Sequence, residues 1–168
     1  GMALVYGGTG STSLPVIARA LHGVSGDSLV FSVAGIGLVM VGLAFKSSAA
    51  PFHMWTPDVY EGAPAPVVAF MSVGTKIAAI AVFLRLFAVS FGAPSVSSRW
   101  AILLGAVAAV SMLVGAVGAL RQQNLKRMLA YSSVAQAGYL LLGTVAANRE
   151  GMVAGLFYLV AYATMTFG

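Results

Sequence analysis

The sequence predicts an all-α fold: a polytopic transmembrane helix bundle with one proline-interrupted helix. Three observations carry this. Of its 168 residues, 60% are hydrophobic and only 8% are charged, whereas a soluble domain has about 25% charged residues. The charges are separated by membrane-length gaps: residues 28–45, 100–120, 128–148 and 151–168 carry no Asp, Glu, Lys or Arg, and 62–84 carry only Lys76. A spanning helix needs about 20 mostly apolar residues, so the chain divides into such segments almost without remainder. Proline then punctuates one of them at Pro51.

The elements follow in order. Met2 to Tyr6 is apolar and is followed by Gly7, Gly8 and Gly10, which reads as the end of a helix over about residues 1–9. Leu14 to Asp27 reads as a loop with a short helix. The first full membrane segment covers 29–60. Pro51 breaks it, because its ring crowds the carbonyl of Ser47 and its nitrogen cannot donate. The next helix, 64–87, opens on Pro64 or Pro66, where a missing N–H costs little. Gly92, Pro94 and the following serines read as a loop. Helices 100–120 and 125–147 come next, joined by the turn Arg121 to Asn124, and a last helix covers 151–168. All of 1–168 reads as a single transmembrane domain. The chain starts without Met and ends without a polar tail, so the expectation is an internal piece of a longer membrane protein.

Small residues support tight packing between these helices. Gly105 with Ala109, and Gly115 with Ala119, lie four apart, a spacing that lets backbones approach in lipid. The net charge is +5, but the basic residues are spread through apolar sequence with no aromatic-basic patch. They read as topology signals, not as a nucleic-acid surface. Arg121, Lys126 and Arg127 cluster at one end, which the positive-inside rule assigns to the cytoplasm. Arg19, Arg85, Arg99 and Arg149 fall at the other end. There is no cysteine, which removes disulfides and Cys-ligated clusters. No phosphate-binding glycine loop is present, and two histidines in different settings, His22 and His53, make a poor haem site. The expected partners are the lipid bilayer and other membrane helices, with no cofactor or metal bound by this chain and no nucleic acid.

The chemistry lies in the intramembrane cations. Lys76 sits midway along 62–84. A lysine at that depth costs about 2.5–3.5 kcal/mol on insertion scales, so it must face a bundle interior, a water-filled cavity or an acid. Burial disfavours the ammonium form, so such a group can load and release a proton. Lys46 lies five residues before Pro51, and interrupted membrane helices are tolerated where freed backbone groups meet water or protein. Both lysines are therefore expected to be buried. His53 follows the break and is a possible relay. Asp58 and Glu61, three apart, could collect protons at the mouth or simply cap a solvated helix end. No acid lies mid-membrane, so the balancing carboxylate is expected outside this sequence. Tyr131, Ser132, Ser133 and Gln136 make a polar patch, with Ser132 and Gln136 on one face. They could order water or act as interhelical glue.

Two stretches resemble a known family. They are FKSSAAPFHMWTPDVYEGAPAPVVAFMSVGTKIA (45–78) and QNLKRMLAYSSVAQAGYLLLG (123–143). Together they resemble the antiporter-like membrane subunits of the proton-pumping NADH:quinone oxidoreductase (respiratory complex I), and subunit N in particular. The resemblance implies a longer subunit of inverted helix repeats in the bacterial inner membrane, packed among other membrane subunits of complex I. It implies that Lys46 and Lys76 match the relay lysines of the seventh and eighth helices, with the acid that partners Lys46 on the fifth. NADH, FMN, iron–sulfur clusters and quinone would belong to the wider complex. Many relatives carry histidine where this chain has Gln136, so a titrating relay there is not expected. The implied activity is proton translocation driven by quinone reduction elsewhere. The rival is a stand-alone or multisubunit sodium/proton antiporter.

Overall fold

In the computed structural model, which describes residues 1–146 and 148–167, eight α-helices follow one another and no strand occurs among the described residues. They are α1 (Met2–Thr9), α2 (Leu14–Gly23), α3 (Gly26–Lys46), α4 (Trp55–Gly62), α5 (Ala65–Phe83), α6 (Pro94–Leu120), α7 (Leu125–Val145) and α8 (Arg149–Phe167). A π-helical run, Leu84–Ser90, continues α5. Five segments are long and apolar enough to cross a membrane: Gly26–Lys46, Ala65–Phe87, Pro94–Leu120, Leu125–Val145 and Arg149–Phe167. Their outward faces are apolar, with Ile102 73%, Leu113 66% and Phe157 76% exposed. Such surface suits hydrocarbon, not water.

Several boundaries differ from the sequence expectation. The segment 29–60 forms two separate helices, and the first stops at Lys46, ahead of Pro51. Ser48 adopts a left-handed backbone with φ of 64°, which ends the helix before proline could. The Ala49 N–H closes on Ala44 O at 2.8 Å, and the Ala50 N–H donates to Ser111 Oγ of α6 at 2.8 Å. Ser47 to Ala50 are all buried, so this irregular backbone is satisfied by protein. The helix expected at 100–120 begins at Pro94 instead. The presumed loop proline supplies the first turn, where its lack of an N–H is harmless. The helix expected at 64–87 starts at Ala65 and runs on through the π segment to Ser90. Expected positions 147 and 168 lie outside the described residues.

The long helices pack antiparallel. Gly115 of α6 meets Ala135 of α7, Gly118 meets Tyr131, and Gly138 meets Ala108 and Met112. A Cβ on Gly138 would lie 2.7 Å from the Ala108 carbonyl oxygen, so glycine is what permits this approach. Of the small-residue pairs read from sequence, Gly115 is at a helix contact, whereas Ala109 is exposed. α7 pairs with α8 through Gly143 against Gly151 and Gly155. α1 runs against α3, with Gly1 at Val39 and Gly8 at Ser28 and Ser32.

These pairings set two ends. Asn124 Nδ2 donates to Glu61 Oε1 at 2.8 Å, which places the end of α4 beside the start of α7. Arg121, Lys126 and Arg127 lie at that end. At the other, Ser95 Oγ of α6 donates to Leu21 O of α2 at 2.7 Å. Arg19, Arg85, Arg99 and Arg149 belong to elements there. The aromatic chain Phe83, Phe87, Phe91 and Trp100, with neighbouring centroids 5.1–5.3 Å apart, fills the core of that half.

Candidate functional site

α5 buries one face: Ser72, Val73, Lys76, Ala79, Ile80 and Phe83. The spacing is helical, so a single rotation of α5 places Lys76 inward while Ile77 stays 42% exposed. Lys76 is fully buried, at 0% exposure. It lies eleven residues past Ala65, or about 16 Å along the axis at 1.5 Å per residue. That distance is about half the thickness of a hydrocarbon layer, about 30 Å.

Its partner is a hydroxyl. Lys76 Nζ donates to Ser133 Oγ of α7 at 2.5 Å. Tyr60 OH of α4 lies 3.3 Å from the same oxygen, and Tyr162 OH of α8 donates to it at 3.3 Å. Lys76 Nζ also sits 5.6 Å from the centroid of the Tyr162 ring. Four helices thus converge on one serine oxygen. The ion pairs among the described residues are those of Arg127 with Asp58 and Glu61, so none involves Lys76.

A cavity of about 410 Å³ reaches this cluster. Its polar lining includes Tyr60, Ser72, Lys126, Ser132, Ser133, Gln136, Tyr162 and Thr166, set among apolar side chains such as Val68 and Leu129. Lys126 belongs to the first turn of α7, and Ser133 lies two turns deeper. The cavity therefore connects the basic end of the bundle with the Lys76 hydroxyl cluster. Its wall is mostly apolar, with polar groups gathered at the Lys76 cluster, and its volume is large enough for several waters.

The remaining sequence candidates are distributed. Lys46 was expected to be buried and is not: it is an exposed residue in the last turn of α3. With Phe45 it stands on the outward side of the last turn of α3, whereas Ser47 to Ala50 just after it are buried. Trp55 Nε1 donates to Phe45 O at 3.2 Å and closes the turn beside it. His53 is half-buried in the linking turn and sits edge-on to Tyr131, with centroids 6.0 Å apart. Asp58 and Glu61 do not open onto the cavity as a free acidic pair. Arg127 Nη1 donates to Asp58 Oδ1 at 2.7 Å and to Glu61 Oε2 at 2.8 Å. Lys126 Nζ meanwhile donates to the carbonyls of Glu61 and Ala63 at 3.3 and 3.2 Å. These contacts fasten the end of α4 to α7. Gln136 lines the cavity, and its Oε1 accepts a hydrogen bond from Tyr158 OH.

Tyr60, Ser72, Tyr158 and Tyr162 escaped the sequence reading. Tyr60 is concealed within a polar helix end, TPDVYEG. A signal did exist for the other two tyrosines. Tyr158 and Tyr162 are four apart on α8 and share a face, and they meet Gln136 and Ser133 of the antiparallel α7. Ser132 lines the cavity, but its neighbour Ser133 makes the hydrogen bonds. Among the described residues no group of three or more His, Cys, Asp or Glu could hold a metal ion.

Comparison with known proteins agrees with this architecture. NADH-quinone oxidoreductase subunit N from Desulforamulus reducens is 47% identical over the whole chain, which covers 34% of that relative. The chain spans about a third of the length of the curated relatives it matches. A structure of respiratory complex I from Thermus thermophilus with bound aureothin contains a chain matching at TM-score 0.73 and 39% identity, over 98% of this chain and 34% of that one. The Mrp complex from Dietzia sp. contains another, at TM-score 0.83 and 32% identity, over 98% of this chain and 29% of that one. Residues 1–168 also match the family described as NADH:quinone oxidoreductase/Mrp antiporter, TM. By that full-length match, this membrane chain belongs to the NADH:quinone oxidoreductase/Mrp antiporter transmembrane family.

Proposed function

We propose that the chain is part of a proton-translocating, antiporter-like subunit N of NADH:quinone oxidoreductase in the bacterial inner membrane, with its basic end toward the cytoplasm. The observation that carries this is Lys76: a fully buried amine midway along its helix, held by a neutral hydroxyl that lines a cavity. An amine without a fixed counter-charge can exist with or without its proton at modest cost either way, and a neighbouring charge can tip the balance. Quinone reduction elsewhere in the complex supplies that change. The subunit itself performs no redox step. NADH, FMN, iron–sulfur clusters and quinone belong to the other subunits of the assembly, and the neighbouring membrane subunits are its partners.

Lys46 is the second relay lysine in this reading. α3 and α4 act as the two halves of one interrupted crossing, and Lys46 stands at the break. Its exposed side chain faces outward from this part of the bundle, toward the acid expected elsewhere in the full-length subunit. His53, beside Tyr131, lies in the same break as a possible intermediate. Asp58 and Glu61 act by securing α4, and Gln136 orders the cavity through Tyr158 without carrying charge.

The test is proton translocation per NADH oxidised by the assembled complex in sealed vesicles. Lys76→Ala and Lys46→Ala should each lower translocation while the complex still assembles. Unchanged rate and stoichiometry in both would overturn the reading. The likeness to the Mrp complex, with its TM-score of 0.83, favours a second reading as a sodium/proton antiporter subunit. Sodium-dependent proton exchange without NADH oxidation would select it.

A further inference from the structure

We infer that Tyr60 is the residue through which protons pass between the cavity and Lys76, with Ser133 as the intervening hydroxyl. This rests on the reading of Lys76 as a proton carrier.

The inference comes from counting hydrogens at Ser133. A serine hydroxyl has one hydrogen to donate and two lone pairs. Three groups compete for them: Lys76 Nζ at 2.5 Å, Tyr60 OH at 3.3 Å and Tyr162 OH at 3.3 Å. When Lys76 is an ammonium it can only donate, so it takes one lone pair. Tyr162, placed as a donor to Ser133, takes the other. The Ser133 hydrogen must then go to Tyr60, and the hydrogen of Tyr60 turns away from Ser133. When Lys76 is a neutral amine it offers a lone pair. Ser133 donates to it, and Tyr60 turns its hydrogen back to Ser133. The Tyr60–Ser133 contact is the one that geometry leaves open to either donor. The protonation state of Lys76 is thus converted into the direction of the Tyr60 hydroxyl.

The same chain moves a proton with full balance. Starting from neutral Lys76, a protonated cavity water gives a proton to the Tyr60 oxygen. The original Tyr60 hydrogen passes to Ser133, and the Ser133 hydrogen passes to Lys76 Nζ. The water is left neutral, both hydroxyls are restored with their hydrogens reversed, and Lys76 is an ammonium. Release runs the sequence backward. Tyr60 is 3% exposed and lines the cavity together with Ser133 and Tyr162; with a neutral Lys76 both lone pairs of Ser133 are taken by the two tyrosine hydroxyls, so a cavity water reaches the Ser133 oxygen through Tyr60 and not directly. Its place is held by two fastenings on its own helix, at Asp58 and Glu61.

The experiment uses the full-length subunit in the assembled complex. Tyr60→Phe keeps the ring and removes the relay oxygen. Proton translocation should fall about a hundredfold or more, the scale of a lost proton-transfer group. Ser133→Ala should behave alike, and Ser133→Thr should restore most of the rate, because it returns the hydroxyl. Replacing Tyr60 with a fluorinated tyrosine keeps size and hydroxyl but makes the oxygen less basic. It should move the pH profile of translocation toward acid, which a structural role would not do. Normal translocation in Tyr60→Phe, equal loss in Ser133→Thr and Ser133→Ala, or an unmoved pH profile with the fluorinated residue would each overturn the relay. The Lys76→Ala control separates the two claims. Loss there with normal Tyr60→Phe sinks only the relay, whereas no loss in Lys76→Ala sinks the proton-carrier reading beneath it.

Discussion

Lys76 Nζ donates to Ser133 Oγ at 2.5 Å across the α5–α7 interface, and both residues are buried. A lysine in such a place normally calls for a carboxylate. Here the neighbours that reach the amine are a serine hydroxyl and the face of the Tyr162 ring. Neither carries a negative charge, so neither is a fixed counter-ion for the ammonium. The consequences can be measured separately for stability and for transport.

Lys76→Met should separate the two. An apolar side chain of similar length removes a buried polar group along with its desolvation cost, a change that is often neutral or stabilising. Thermal unfolding of the purified complex should show no loss of stability, while proton translocation falls. Ser133→Val should do the opposite to stability. It leaves the Lys76 amine without its acceptor, at a cost of about 1–3 kcal/mol.

Ser111→Ala should weaken the turn after α3. Ser111 Oγ accepts the Ala50 N–H at 2.8 Å in a buried setting. Without it that N–H has no replacement acceptor, and the cost is about 1–3 kcal/mol. Faster hydrogen exchange across residues 47–54 in the full-length subunit is the expected signature. Ser111→Thr, which keeps the oxygen, should leave exchange close to that of the parent.

Gly138→Ala should force α6 and α7 apart. The added Cβ falls 2.7 Å from Ala108 O and 3.0 Å from Met112 N, both backbone atoms. Overpacking of this kind costs about 1–3 kcal/mol. Gly7→Ala is the control, since no atom lies within 4 Å of a Cβ there. Detergent-induced unfolding should distinguish the two.

Glu61→Ala should loosen α4 more than Asp58→Ala does. Among the described residues Glu61 accepts from both Arg127 and Asn124, whereas Asp58 accepts from Arg127 alone. The ion pair is solvent-facing, with Arg127 31% exposed, so salt should screen it. Hydrogen exchange of residues 55–62 should rise in the order parent, Asp58→Ala, Glu61→Ala. High salt should narrow the differences.

Much of this protein could be read from its residues in order. Charge gaps of helix length and the extreme apolar content required a membrane bundle, because water cannot solvate that surface and lipid cannot satisfy unpaired backbone. The central place of Lys76 in its apolar run required burial for the same reason. The polar patch at 131–136 on α7 was legible too, since polar groups at that depth need partners. Helix ends were less legible. Pro94 reads equally well as loop or as first turn, and α3 ends at Ser48 by backbone conformation, not at Pro51 by ring clash.

What sequence alone determined is the solvent, the number of membrane-length apolar segments and the central place of Lys76 within one of them, since these depend on local hydropathy and length. Only tertiary structure decided that Ser133, not Ser132, meets the amine, that Tyr60 and Tyr162 join it, and that Lys46 is left outside. Those outcomes depend on the rotation and register of four helices against one another. A hydrogen bond formed or missed turns on displacements of about an ångström, which no pattern of apolar spacing encodes.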